Sequence, residues 1–466
     1  MTTGATIVWF RQDLRIHDHA ALHAAVARGV PLVLVYVLEE QGPWRAGAAM
    51  RYWLHETLAA LSTDLQRHGQ RLLLLRGDAQ VELTRLRAAC GADALYFNRR
   101  YEPHDHALDA RIAQTLGARC EVRSFASHLL FEPEAVQTGT GTAYRVFTPY
   151  YRACLQLPTP RPPLPAPRRW PAPAGAPAGL ALEELQLLPR IAWAGGIAAR
   201  WPAGEQAAHV ALDEFIDERM NDYARDRDRP SLNGTAGISP YLCVGALSAR
   251  SCWHAAHQAA LRERDAGRTS AAEGWTRQLI WREFAYHLLH HFPHTPDAPF
   301  RAEWQAFPWL HDDSVLRRWQ RGMTGIPLVD AGMRELWHTG YMHNRVRMVV
   351  ASWLCKHLGL HWLAGARWFW DTLIDADLAN NTLGWQWSAG CGADAAPYFR
   401  IFNPVSQSVK FDPAGLYLRR WLPERAALDD KAIHQPGVRV SGYPEAMVDL
   451  AEGRRQALAR YASLPR

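Results

Sequence analysis

Short apolar runs at 5–10, 31–38, 71–76, 94–98 and 120–125 punctuate the first third of the chain. Between them apolar residues recur at helical spacing, as over 50–68 and 106–116. Strands that alternate with helices predict a parallel sheet with helices on both faces. After about residue 201 the period changes. Apolar positions then recur every three or four residues, as in 275–289, 342–354 and 364–373, and predict helices alone. The stretch between, LPTPRPPLPAPRRWPAPAGAPAG at 157–179, holds too much proline for a helix or a sheet interior and predicts an extended connector. The pattern divides the chain into an α/β domain at 1–132, an interdomain linker at 133–200 and a large all-α domain at 201–466.

Composition narrows the class. With 466 residues, 48% apolar and 21% charged, each part can bury its own core. No apolar run is long enough to span a bilayer. Arginines interrupt the only apolar stretch near the start, MTTGATIVWFRQDLR, so no signal peptide is expected and the protein is expected in the cytoplasm. The cysteines at 90, 120, 154, 243, 252, 355 and 391 form no CxxC pair, which removes the sequence support for zinc, disulfide and iron–sulfur readings. A net charge of +6 permits an acidic partner such as DNA without demanding one. Lys356, Lys410 and Lys431 are the only lysines, so the remaining positive side chains are arginines, as a GC-rich genome would also produce. Of the 20 tryptophans, many fall between Trp253 and Trp387. They suit a core, an aromatic floor for bases or a redox wire, and composition does not choose among these.

Four stretches carry candidate chemistry. In NGTAGISP at 233–240 two glycines bring backbone close to a ligand, and Ser239 with Pro240 reads as a helix cap whose free N–H groups suit a phosphate. An ordinary capped loop has the same pattern. In WTRQLIWREFAY at 275–286, Gln278 and Trp281 share a helix face beside Arg282, a set that suits a ring or base ligand or, more plainly, an amphipathic core helix. In GYMHNRVRMV at 340–349, Arg345 and Arg347 point roughly 200° apart on a helix of about 3.6 residues per turn, so one can face phosphate while the other turns inward to a carboxylate. A solvated basic face fits that stretch equally. In LIDADLANNTLGWQW at 373–387, two carboxylates and two amides crowd into seven residues within apolar sequence, and such density needs specific partners. Asp375 is a candidate partner for Arg347. His287, His290 and His291 have helical spacing but no acidic or cysteine companion in the sequence, so no metal is assigned. No GxGxxG turn follows the first strand, which places the main cofactor outside the first domain.

Taken in order, IVWFRQDLRIHDHAAL at 7–22, LNGTAGISPYLCVGALS, LIWREFAYHLL, TGIPLVDAGMREL, GYMHNRVRM, LIDADLANN, GWQW and DAAPYFRIFNPVSQSVKFD resemble the photolyase/cryptochrome family, and look most like its bacterial cyclobutane-dimer photolyases. The likeness covers nearly the whole chain. It implies a Rossmann-like, doubly wound antenna domain and a helical domain that binds FAD. The FAD contacts it implies are Tyr223, Thr235, Ala236, Gly237, Ile238, Ser239, Trp275, Arg282, Arg347, Asp375, Asp377 and Asn381, with Asn381 facing the flavin's central-ring nitrogen. Implied lesion contacts are Gln278, Trp281, Asn344, Arg345, Met348, Trp387 and Gln407. Trp385, Trp362 and Trp309 match the family's flavin-reducing chain. The activity implied is light-driven repair of pyrimidine dimers in UV-damaged DNA by a monomer that needs no protein partner.

Three departures from the family pattern stand out. Gln278 replaces the glutamate usual in dimer photolyases and resembles (6-4) photolyases, yet Asn344 and Met348 stand where those enzymes carry two histidines. His104–Asp105 replaces the Asn–Glu of folate-binding relatives, and their lysine near Pro296 is missing. Asp105 therefore marks an antenna position whose second chromophore is left open among methenyltetrahydrofolate, a deazaflavin and a flavin. Ala236 and Gly237 replace Ser–Arg in the phosphate loop. A cryptochrome-type light sensor and a (6-4) photolyase are the competing readings, each supported by Gln278.

Overall fold

The computed structural model describes residues 4–263, 265–395 and 399–464, which places Ala396, Pro397 and Tyr398 of the last motif outside the described residues. Five parallel strands, β1 (Thr6–Phe10), β2 (Leu32–Leu38), β3 (Leu72–Arg76), β4 (Ala94–Asn98) and β5 (Glu121–Phe125), lie in the order β3-β2-β1-β4-β5. Each falls on a predicted apolar run. Strand β1 pairs with β2 through Thr6 opposite Leu32, and with β4 through Thr6 opposite Ala94.

Side chains alternate across the sheet. Ile7 and Trp9 join Val33, Val35, Leu95 and Phe97 under helices Ala79–Cys90 and Pro103–Leu116. Val8 and Phe10 face the other way, into a core continuous with the helical region. Because both faces are covered, β2 is apolar and buried throughout. The strand order reverses between β1 and β4, and in such sheets the crevice opens at the carboxyl ends of those strands.

The arginine-rich segment after β1 docks the two regions. Buried Arg15 donates to the carbonyls of Gly245 (2.8 Å), Asp18 (2.9 Å) and Ser127 (3.0 Å), and Asp18 pairs with Arg250 at 2.9 Å. From the other side, the Glu283 carboxylate accepts N–H bonds from Leu130 (2.8 Å) and Phe131 (3.1 Å).

Residues 133–200 are less uniform than a linker. They contain helices Phe147–Cys154 and Gly195–Arg200 and the short 3₁₀ turns Pro133–Ala135 and Glu183–Leu185. The proline-dense part forms neither helix nor strand, but it lies along the sheet rather than free. Leu32 bridges Pro173, Leu180 N–H donates to Leu74 O at 2.8 Å, and Trp170 stacks on His68 at 5.0 Å. Proline cannot propagate a ladder, so contacts occur at isolated residues.

Beyond residue 201 the described elements are helical. Helix Ala266–His291 packs on Leu378–Ala389, which also contacts Asn344–Ser352 and Trp362–Thr372. These four helices carry most of the predicted site residues. No helix among the described residues is long and apolar enough to cross a membrane.

Candidate cofactor and nucleic-acid site

The 233–239 loop is shaped by its glycines. A Cβ on Gly234 would lie 2.6 Å from Asp226 O, and Gly237 has φ +64°, a region that disfavours side chains. Among the described residues, the N–H groups of Thr235, Ala236, Gly237 and Ile238 donate to no protein acceptor, although Ala236 and Ile238 are buried. Buried N–H groups are otherwise nearly always paired. Four successive free donors in one loop are suited to hold an anion such as a diphosphate.

One expectation here needs correcting. Ser239 does not cap the following helix, Ser239–Val244. Ile238 occupies the cap position and Ser239 is the first helical residue. The Ser239 hydroxyl instead donates to Asp375 Oδ2 at 2.7 Å, because that buried carboxylate lies close by and needs donors.

Arg347 meets Asp375 as anticipated, with Nη2 at 3.0 and 2.8 Å from the two carboxylate oxygens. Its Nε donates to Met342 O at 2.6 Å. Asp377 caps helix Leu378–Ala389 by accepting from Asn380 N–H at 2.8 Å, and accepts the Tyr286 hydroxyl at 2.5 Å. Two carboxylates thus survive in an apolar setting because each is bonded on more than one side. The Asn381 NH₂ donates to Ala366 O at 3.1 Å, which leaves its Oδ1 as the acceptor free for a ligand. Tyr223 and Trp275 are buried and both pack against Phe215, at 5.9 and 5.0 Å. Arg282 is turned toward the docking interface, with Nη1 3.2 Å from His128 O and its guanidinium over Tyr286. It braces Tyr286, and through it Asp377. The donors and acceptors present (free loop N–H groups, an arginine–carboxylate pair, an amide oxygen and aromatic walls) fit a flavin dinucleotide.

The residues that the sequence resemblance assigns to nucleic-acid contact lie nearby. Gln278 Oε1 accepts from Arg227 at 3.3 Å. Trp281 is half-buried with one face covered by Phe147, at 3.6 Å and 7°. Asn344 and Met348 are neighbours one turn apart, with Nδ2 4.0 Å from Sδ. Arg345 points away from Arg347. It pairs with Asp228 at 2.8 Å and lies over Phe411. Trp387 faces Phe402 at 6.4 Å, and the buried Gln407 Oε1 has no protein partner. Arg227, Phe147 and Asp228 were not singled out from sequence. Their roles depend on contacts across more than 50 residues of chain.

The three tryptophans are connected differently at the two ends. Trp309 is half-buried and lies 5.1 Å from the His361 ring, which is 5.7 Å from buried Trp362. One turn beyond Trp362, a Cβ at Gly365 would sit 2.1 Å from Trp385 Cη2, so the helix presses directly on the Trp385 indole.

A second cleft, of about 260 Å³, opens at the carboxyl ends of β1, β2 and β4. Its walls include Trp9, Tyr36, Glu39, Trp44, Arg100, Glu102 and Asp105 from the α/β side and Pro296, Trp370 and Leu378 from the helical side. Asp105 is ion-paired to Arg100 at 3.0 Å, and burial raises its carboxyl above the ordinary range. Glu39 and Glu102 were not anticipated there. The histidines at 287, 290 and 291 do gain an acidic neighbour, Glu134, 3.4 Å from His290. His287, however, spends Nε2 on Tyr144 N–H at 3.0 Å.

Two family models match this two-part architecture. The description "DNA photolyase" covers residues 6–168, and "FAD binding domain of DNA photolyase" covers 275–463. The chain belongs to the DNA photolyase family. It is similar to a deoxyribodipyrimidine photo-lyase of Agrobacterium fabrum, 43% identical over 100% of this chain and 99% of the relative. Its structure is similar to that of a bacterial class III photolyase from Agrobacterium tumefaciens, with TM-score 0.94, 43% identity and coverage of 99% and 98% of the two chains. Cryptochrome-2 of Arabidopsis thaliana is 36% identical over 99% of this chain and 79% of the relative.

Proposed function

We infer that this protein is a DNA photolyase that repairs cyclobutane pyrimidine dimers in UV-damaged DNA, with FAD as its cofactor. The observation that carries the reading is the loop of four unpaired N–H groups with the Asp375–Arg347 pair and Asn381, on the helices that also bear the lesion-type residues. FAD, when bound, supplies light absorption and a reversible one-electron donation.

The chain's own residues do the rest. Thr235 through Ile238 hold the diphosphate by backbone N–H, so the loss of Ser–Arg side chains there is tolerated. Arg347 and Asp375 hold each other in place and present a fixed dipole. Asn381 offers an oxygen to a ring N–H. Trp281 and Trp387 provide flat faces for two pyrimidines taken out of the stack, where a damaged pair costs less to unpair than an intact one. The cleft beside Asp105 is the place for a second, light-collecting chromophore, since ligands of doubly wound sheets sit at the strand carboxyl ends.

Arg345 reaches phosphate by exchanging its Asp228 partner. Arg345→Ala is expected to lower the salt dependence of DNA binding by about one phosphate contact, read from the slope of log K against log salt. An unchanged slope would remove Arg345 from the DNA face.

Gln278 tests the lesion assignment. Glutamine retains an N–H donor for a dimer carbonyl but supplies no proton, so stabilisation of developing charge is partial. Gln278→Glu is expected to raise dimer repair under blue light, with neither protein active in darkness. Both lesions are assayed with both proteins. Dimer repair absent from both would defeat the assignment, and (6-4) repair by the wild type alone would establish that reading. The similarity to a cryptochrome supports a sensor as the second reading, which the same assay separates by showing no repair of either lesion.

A further inference from the structure

We propose that His17, Glu205 and His209 form a divalent transition-metal site, for zinc or a metal of similar preference, that clamps the segment after β1 to helix Glu205–Glu218. Among the described residues, this is the one trio of histidine, cysteine or acidic side chains whose ligand atoms converge, all within 4.8 Å of one another. His17 Nδ1 lies 3.0 Å from Glu205 Oε1, and His209 Nε2 lies 3.9 Å from the same oxygen.

Two imidazole nitrogens and one carboxylate oxygen are a donor set suited to Zn²⁺, which binds them at about 2.0–2.2 Å and leaves a fourth position for water. Ligand atoms of a tetrahedral site at those bond lengths lie a little over 3 Å apart. The observed spacings, 3.0 and 3.9 Å to Glu205 and at most 4.8 Å within the trio, bracket that value, so the two imidazoles close on the ion when it binds. Glu205 and His209 are one turn apart on the helix, which fixes their separation. Glu205 is buried, and its orientation is set independently by the N–H groups of Ile16 (2.7 Å) and His17 (2.9 Å). Such bonds to a ligating carboxylate are the outer support that metal sites require. The His17 side chain is 55% exposed, which gives an ion a way in.

The surrounding charge favours a cation. Asp64 faces His17 and Glu205, and Asp213 faces His209. Arg15 opposes them, but its terminal nitrogens are committed to Gly245, Asp18 and Ser127. On binding, the metal takes the Nδ1 lone pair of His17. Any proton that His17 shares there with Glu205 is released to solvent, and Glu205 keeps its two backbone bonds.

The test uses the FAD-loaded protein, treated with chelator and titrated with Zn²⁺ at pH 7.5 by calorimetry. One zinc per chain is expected. His209→Ala, which leaves the His17–Glu205 contact intact, is expected to weaken binding by at least about tenfold. Its flavin absorption and zinc-free melting temperature should match the wild type, which separates loss of a ligand from loss of fold. X-ray absorption at the zinc edge is expected to show imidazole nitrogen and oxygen neighbours. Equal zinc affinity in wild type and variant, sulfur in the coordination shell, or no micromolar binding by the wild type would each overturn the site and leave an ordinary hydrogen-bonded pair.

Discussion

Trp309→Phe is expected to lower the rate of light-driven reduction of the oxidised holoprotein by on the order of tenfold or more, since each 1.36 kcal/mol added to a barrier is a factor of ten. Phenylalanine keeps the packing against Phe307 and His361, at 4.3 and 5.1 Å, but is far harder to oxidise than an indole. Trp309 is the half-buried member of the three, and Trp362 and Trp385 are buried, which makes Trp309 the expected entry point for an electron from solvent. His361, whose ring stands near both Trp309 and Trp362, stays neutral because burial lowers its pKa to about 4. A charged imidazolium there would repel the positive hole left on either indole. Repair by chemically reduced protein is expected to be unchanged, because that reaction does not draw on the chain. Wild-type photoreduction in the variant would assign the outer donor to another of the 20 tryptophans.

A second large effect is expected on stability in acid. His287 accepts a hydrogen bond from Tyr144 N–H at 3.0 Å, His343 from Arg345 N–H at 3.2 Å, and His361 from Leu363 N–H at 3.1 Å. An imidazole can accept only when that nitrogen is unprotonated. Burial pushes all three down to about 4. In the unfolded chain they take up protons near 6.5, so between pH 6.5 and 4 the unfolded state binds more protons than the native state. Stability is therefore complete above pH 6.5 and falls as pH drops toward 4. The two buried groups contribute up to about 3 kcal/mol each, and the more exposed His361 less. Glu283 works in the opposite sense. Burial raises it to about 7, so its contribution is largest in acid and is lost as pH rises from 4.5 to 7. Three histidines outweigh one glutamate, and the melting temperature is expected to fall steeply between pH 6.5 and 4.5. His287→Gln, which keeps an acceptor for Tyr144, should make the fall shallower. A flat profile, or one unaltered by the substitution, would contradict the neutral-acceptor role.

Local chemistry made much of the fold legible. The five runs became β1–β5 within one residue. Strands β1, β2 and β4 are apolar because they are buried along their whole length, whereas the edge strand β5 is largely exposed and mixes charged with apolar residues. Helices were readable from their period, although the one expected over 342–354 runs as Asn344–Ser352 and then widens into a π turn at Trp353–His357. The Arg347–Asp375 pair was anticipated because a carboxylate in apolar sequence needs a partner and arginine was the nearest candidate by character.

Other features were decided only by the tertiary structure. The role of Ser239 could not be read locally, since capping and bonding to Asp375 look the same in sequence and 136 residues separate the partners. Residues 133–200 read as linker because proline dominates their middle, yet Phe147 lies flat against Trp281 and helps form the wall of the site. Arg15 and Glu283 were not singled out from sequence, and each bonds backbone across the junction of the two regions. His17, Glu205 and His209 carry no ligand spacing that spans the gap from 17 to 205. The sequence determined which residues are apolar, which can bend the backbone and which bear charge, because those are properties of single side chains and short periods. Which charges meet was decided by the packing of the sheet against the helices, because only folding brings distant segments within hydrogen-bond reach.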